Sequence, residues 1–265
     1  MSAGTIVTPE LFSAMTSPEA AELASASALR PVAVLPTGAV EQHGPHLPLA
    51  LDIWLASAVA RAAAQGQDGI RVCEPLPYGS SQHHRAFAGT MSLSPRTFIA
   101  VLCELAANLW QDGYLPVVLN GHGGNRAAIQ VAITTLGADG VVMAGFSYFD
   151  LIADVAARVL PDHAGGTGHA CALETALMMH VLPQTVRHDR IPEGTTPPSW
   201  PDPHLYSGAA VSVWRPFETI RPNGVIGTPS DATPAAGAAL FEAAVTRSRD
   251  TLLTLQSHYG QRRPS

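Results

Sequence analysis

Glu41, His43 and Asp52 stand close together in the segment Glu41-Gln42-His43-Gly44-Pro45-His46-Leu47-Pro48-Leu49-Ala50-Leu51-Asp52. Two carboxylates and an imidazole are hard or borderline donors, a set that suits a divalent cation such as zinc, manganese or iron. Glu41 and His43 are two apart, so an extended backbone turns both side chains to the same side. Asp52 comes just ahead of an apolar helical pattern, where its carboxylate either caps the helix or bridges two cations.

Three further clusters carry polar chemistry. Asn120-Gly121-His122-Gly123-Gly124-Asn125 sets one histidine among glycines, which permit close backbone approach. It reads as a metal-ligand histidine or as an anion-binding turn at a helix start. Gly168-His169-Ala170-Cys171-Ala172-Leu173-Glu174-Thr175 places His169 and Glu174 across a helix start, so both face one pocket if His169 lies just outside the helix. Glu174 is then a ligand or proton carrier, or else a solvated first-turn glutamate favoured by the helix dipole. In Ser80-Ser81-Gln82-His83-His84-Arg85-Ala86-Phe87-Ala88-Gly89-Thr90 the histidines are adjacent. Neighbours point apart in regular structure, so one of them, His84, faces the site. His84, Gly123 and Gly124 are assigned to substrate contact.

All 15 basic residues are arginine; the chain has no lysine. Schiff-base chemistry, a phosphate-gripping P-loop lysine and a lysine general base are therefore excluded. The absence also favours the metal-ligand reading of His122 over the anion-binding one. A composition of 46% hydrophobic and 14% charged residues specifies a packed core. The net charge of −6 argues against nucleic acid and anionic lipid as partners. No apolar run reaches the roughly 18–20 residues of a membrane span, and no signal peptide is evident. Cys73, Cys103 and Cys171 are dispersed, as reduced thiols of a cytoplasmic protein would be.

These clusters need a scaffold that brings distant segments together. Thr8-Pro9 and Ser17-Pro18 read as helix starts, with Pro31 closing the second helix. Strands are expected at Val32–Leu35, Val72–Leu76, Leu115–Leu119 and Val141–Ser147. Helices are expected at Ile53–Ala64, Ser94–Asp112, Arg126–Leu136, Phe149–Leu160, Leu173–Val181 and Ala235–His258. This alternation predicts an α/β fold with a mainly parallel sheet covered by helices on both faces, as one domain over residues 1–265. In such a sheet ligands bind beyond the carboxyl ends of the strands, where the polar clusters fall. Residues 191–234, rich in proline and glycine, read as a surface excursion, a lid or a subunit-contact segment.

The motifs EQHGPHLPL with Asp52, FAGT at Phe87–Thr90, NGHGGN, and His169-Ala170 followed by Glu174-Thr175 together resemble the creatininase family of metal-dependent amidohydrolases. Gly224-Val225-Ile226-Gly227 supports the match, which spans about Val32 to Val245. The resemblance implies a single three-layer α/β/α domain and two divalent metal ions per chain, zinc first, with manganese or iron as alternatives. It implies that Glu41 and His122 hold one metal, His43 and Glu174 the other, and that Asp52 bridges them. His169, and Glu174 if it is free to do so, would carry protons or stabilise the transition state. The implied activity is hydrolysis of a non-peptide or cyclic amide by an activated water, in a homo-oligomer, a hexamer by resemblance. The alternatives are a metallopeptidase trimming a short peptide, as in the mycofactocin-precursor branch, and a silent metal-binding subunit. Creatinine-acting members look like His-Tyr-Glu where this chain has His122-Gly123-Gly124, so Glu174 is the substitute carboxylate.

Overall fold

The computed structural model describes residues 10–160, 168–193 and 213–261. Among them, β1 (Val32–Thr37), β2 (Ile70–Val72), β3 (Leu115–Asn120) and β4 (Ala144–Ser147) form a sheet ordered β2-β1-β3-β4, every pair parallel. Val32 is in register with Leu115, and Thr37 with Asn120. β1 and β3 are buried throughout, which explains their unbroken apolar runs.

The period-two alternation of these strands divides the core between two helical layers. Val32, Val34, Leu115, Val117 and Leu119 pack on one face against α2 (Leu51–Ala64), α7 (Ala172–Val181) and α9 (Pro234–Tyr259). Leu35 and Val118 pack on the other against α3 (Pro95–Gln111) and α4 (Arg126–Ala138). Ala33 meets Tyr114 and Ala24 of α1 (Ser17–Ser25). The result is the expected α/β/α stack. No described helix is long and apolar enough to cross a membrane.

Several boundaries differ from the sequence expectation. The cap of α1 is Thr16, whose N–H donates to the Glu19 carboxylate at 2.6 Å, and the helix ends at Ser25, well before Pro31. Thr8-Pro9 lies outside the described residues, and beyond it Phe12–Ala14 forms only a 3₁₀ turn. β2 ends at Val72; beyond it Cys73 donates to the Val34 carbonyl at 2.8 Å and Leu76 to the Pro36 carbonyl at 2.9 Å, while Pro75 and Pro77 cannot donate. The helix expected over 149–160 divides at Ile152 into α5 (Tyr148–Leu151) and α6 (Ala153–Val159). Asp52 lies inside the first turn of α2, not before it.

Candidate metal centre

β1 and β3 are neighbours, yet the chain leaves β1 for α2 on one face and β3 for α4 on the other. The divergence opens a crevice at their carboxyl ends, the switch point where open α/β sheets bind ligands. Two glycines let α2 close its floor. A Cβ on Gly38 would stand 2.5 Å from the Ile53 nitrogen, and one on Gly121 would stand 2.3 Å from the Asp52 carbonyl oxygen. The first turn of α2 therefore lies directly on both strand ends and carries Asp52 in.

Around Asp52 the other predicted residues converge. Its Oδ2 is 3.1 Å from His122 Nδ1, which is 3.3 Å from Glu41 Oε1. Its Oδ1 is 3.1 Å from His43 Nε2. Glu41, Asp52 and His122 form one group whose donor atoms lie within 4.8 Å of one another, and His43, Asp52 and Glu174 form a second. Asp52 belongs to both. Glu41, His43, Asp52 and His122 are buried; Glu174 is of intermediate exposure as a residue, but its carboxyl group is enclosed.

Outer hydrogen bonds fix which nitrogen each imidazole presents. His43 Nδ1–H donates to the Glu41 carbonyl at 3.1 Å, leaving Nε2 to face Asp52. His122 Nε2–H donates to the Ser80 carbonyl at 3.1 Å, with Ser81 Oγ at 3.2 Å, leaving Nδ1 toward Glu41 and Asp52. His169 Nε2–H donates to the Gln42 carbonyl at 2.7 Å, and its Nδ1 is 3.8 Å from Glu41. Orienting a ligand histidine through its far nitrogen is how proteins prepare metal sites. Both Glu41 carboxylate oxygens and Asp52 Oδ2 are buried without a hydrogen bond. Buried carboxylate oxygens left without donors fit divalent cations.

A family model described as Creatininase, creatinine amidohydrolase, matches residues 13–252. The chain belongs to the creatininase family. A mycofactocin precursor peptide peptidase of Mycobacterium ulcerans (strain Agy99) is 36% identical over 222 residues, 80% of each chain. The creatinine amidohydrolase of Pseudomonas putida is 31% identical over 187 residues, 63% of this chain and 72% of its own. A solved mutant creatininase of Zn-Zn type aligns with a TM-score of 0.79 at 25% identity, covering 94% of this chain and 99% of that one. The protein is a creatininase-family amidohydrolase, a hydrolase of carbon–nitrogen bonds.

The electrostatics of this creatininase-family centre are those of acids crowded out of water. Burial pushes Glu174 up to about 7, with Asp52 adding to the rise. Burial would lower His43, but the charge and hydrogen bond of Asp52, with Glu174 and Glu41, outweigh it and lift His43 to about 9. Glu41 and Asp52 likewise overcome burial to hold His122 well above its ordinary value. Protons on these histidines balance the carboxylates in the metal-free chain, and cations must displace them. Cation uptake at pH 7 is therefore expected to release protons, and apparent affinity should rise with pH until the His43 pKa near 9 is passed. The raised His43 pKa contributes stability to the metal-free fold that is complete below about 6.5 and lost as pH rises through about 9. Calorimetry in buffers of differing ionisation enthalpy measures the proton count; pH-independent uptake would contradict this.

One expectation about the histidines needs correction. Gln82–His84 is a 3₁₀ turn, not regular helix or strand, and the His83 and His84 rings lie 4.3 Å apart on the same side. Both reach the neighbourhood of Glu41. Gly123 and Gly124 open a 3₁₀ turn after His122. A Cβ on Gly124 would stand 2.4 Å from His122 Nε2 and 2.6 Å from the Ser80 carbonyl, so the tight fit leaves no room for a side chain. Ala170, at φ 50°, is the one described non-glycine residue with positive φ; it turns the chain between His169 and the start of α7.

Sequence reasoning missed several residues. Asn120 binds both the N–H and the carbonyl of His122, and Asn125 ties Ser80 and Gly38 to the same loop. Phe217, in α8 (Phe217–Ile220), lies within the described part of the 191–234 excursion. It is fully buried against His84 at 4.2 Å and His169 at 4.9 Å. The NGHGGN motif itself was the available signal for the two asparagines; nothing local marked Phe217.

Proposed function

We propose that this creatininase-family hydrolase works with two divalent cations, zinc first and manganese or iron as alternatives. Glu41, His122 and Asp52 would hold one; His43, Glu174 and Asp52 would hold the other. The observation that carries the reading is the sharing of Asp52 between two enclosed donor groups. The Zn-Zn type of the mutant creatininase supports it. Bound there, two cations would supply a water deprotonated near neutral pH and polarise the scissile carbonyl. In the metal-free chain burial and then the charge of His43 push His169 down to about 3; cations that displace the His43 proton would remove the second cause. The His169 Nδ1 faces the acid cluster, where it would accept the proton of the attacking water and return it to the leaving nitrogen. Phe217 closes over His84 and His169 and keeps bulk water from that transfer.

The amide of a short peptide is favoured over a small cyclic amide by a specific observation. The Mycobacterium ulcerans peptidase covers 80% of this chain at 36% identity, against 63% at 31% for the Pseudomonas putida creatinine amidohydrolase. Gly124 also has no space for the side chain of creatinine-acting members. With the zinc-loaded protein, short peptides should exceed creatinine and other cyclic amides in kcat/KM by at least about tenfold. Creatinine turned over as well as the best peptide would overturn the substrate reading.

A further inference from the structure

Glu41, His83 and His84 make another group of donors close enough together for a cation. His84 thus stands beside the two groups around Asp52, and the side chain of Gln42 contacts its far nitrogen. Gln42 Oε1 accepts the Gly44 N–H at 2.9 Å, which fixes the orientation of the amide. Its Nε2 then points at His84 Nδ1, 2.9 Å away. Because an amide nitrogen only donates, His84 Nδ1 must accept, and the imidazole proton is confined to Nε2. That nitrogen is the one facing the acids, 3.5 Å from Glu41 Oε1.

Neither partner is free to swivel. Gln42 is 5% exposed and His84 1%. The His84 ring is held between His169 at 4.4 Å and Phe217 at 4.2 Å. A Cβ on Gly224, at φ 74°, would stand 1.9 Å from Gln42 Oε1, so the backbone there lies directly against the amide. Gln42 also receives the His169 Nε2–H on its carbonyl. One residue thus sets the tautomers of two site histidines, oppositely: His169 presents a lone pair, His84 an N–H.

We infer that Gln42 is a positioning residue that locks His84 as an Nε2–H donor toward the Glu41 carboxylate, barring it from metal ligation. The inference rests on the dimetal reading for its consequence but not for its test. Gln42→Glu keeps the shape and the bond to Gly44 but offers His84 only an acceptor, so Nδ1 must then carry a proton. Gln42→Met removes the donor without supplying an acceptor and serves if the glutamate does not fold.

The experiment is long-range ¹H–¹⁵N correlation of the imidazoles in protein with and without zinc, with His84 assigned through His84→Gln. Wild type should show His84 protonated at Nε2 and bare at Nδ1. Gln42→Glu should show protonation at Nδ1 and lose roughly 10–100-fold in activity or metal affinity. In the His84→Gln background Gln42→Glu should cost nothing further. A wild-type proton on Nδ1, a bare wild-type Nε2, a bare Nδ1 in Gln42→Glu, or additive losses would overturn the inference. Failure of the dimetal reading would appear separately, as active wild type without metal and with the His84 proton still on Nε2.

Discussion

Asp52→Ala is expected to strip the centre of both cations and to abolish hydrolysis, the largest effect of any single substitution in the chain. Asp52 is the one side chain common to both donor groups, with His122 3.1 Å from one oxygen and His43 3.1 Å from the other. Its loss leaves Glu41 and His122 on one side, and His43 and Glu174 on the other, each pair short of the three protein ligands typical of a catalytic site. The fold should survive, because Asp52 accepts no bond that caps α2; circular dichroism checks this, and elemental analysis with amide turnover reads the effect. A variant that keeps both metals would remove Asp52 from the bridging role.

His169→Ala is expected to separate chemistry from binding. The imidazole is buried against His43 at 4.5 Å and His84 at 4.4 Å, and its Nδ1 lies 3.8 Å from Glu41. As a proton carrier it contributes to the chemical step alone, so its removal should leave both metals in place and lower kcat by on the order of 10²–10⁴-fold. Elemental analysis and kcat measured on the same preparation decide the case. Metal lost along with activity would make His169 a ligand instead, joining Glu41 and His43 in the group their donor atoms already form.

Much of this arrangement is legible in the chain because it is local or periodic. The runs Val32–Leu35 and Leu115–Leu119 announce strands buried on both faces, and the loops after them carry Glu41, His43 and His122. The glycines around His122 signal close approach, and Gly121 does meet Asp52. What the sequence hides is contact between distant segments. Gln42 meets His84 and Ser80 meets His122 across some forty residues of chain, and no spacing rule links them. Phe217 is hidden for the same reason, inside a stretch whose proline and glycine content gives no period. The paired orientation of His83 and His84 escapes rules written for regular structure, because a 3₁₀ turn brings both rings to one side. The sequence shows that Gly124 offers no carboxylate but not why; in the structure its hydrogen occupies the space that His122 and Ser80 leave.

The sharing of Asp52 between two cation sites is tested most directly by metal content, measured by elemental analysis on active wild type and on Glu174→Ala prepared alongside it. Glu174 belongs to only one of the two groups around Asp52. Two ions per chain in wild type and one in Glu174→Ala is the predicted result, the surviving ion held by Glu41, Asp52 and His122. Active wild type without metal, or two ions retained in Glu174→Ala, would contradict it.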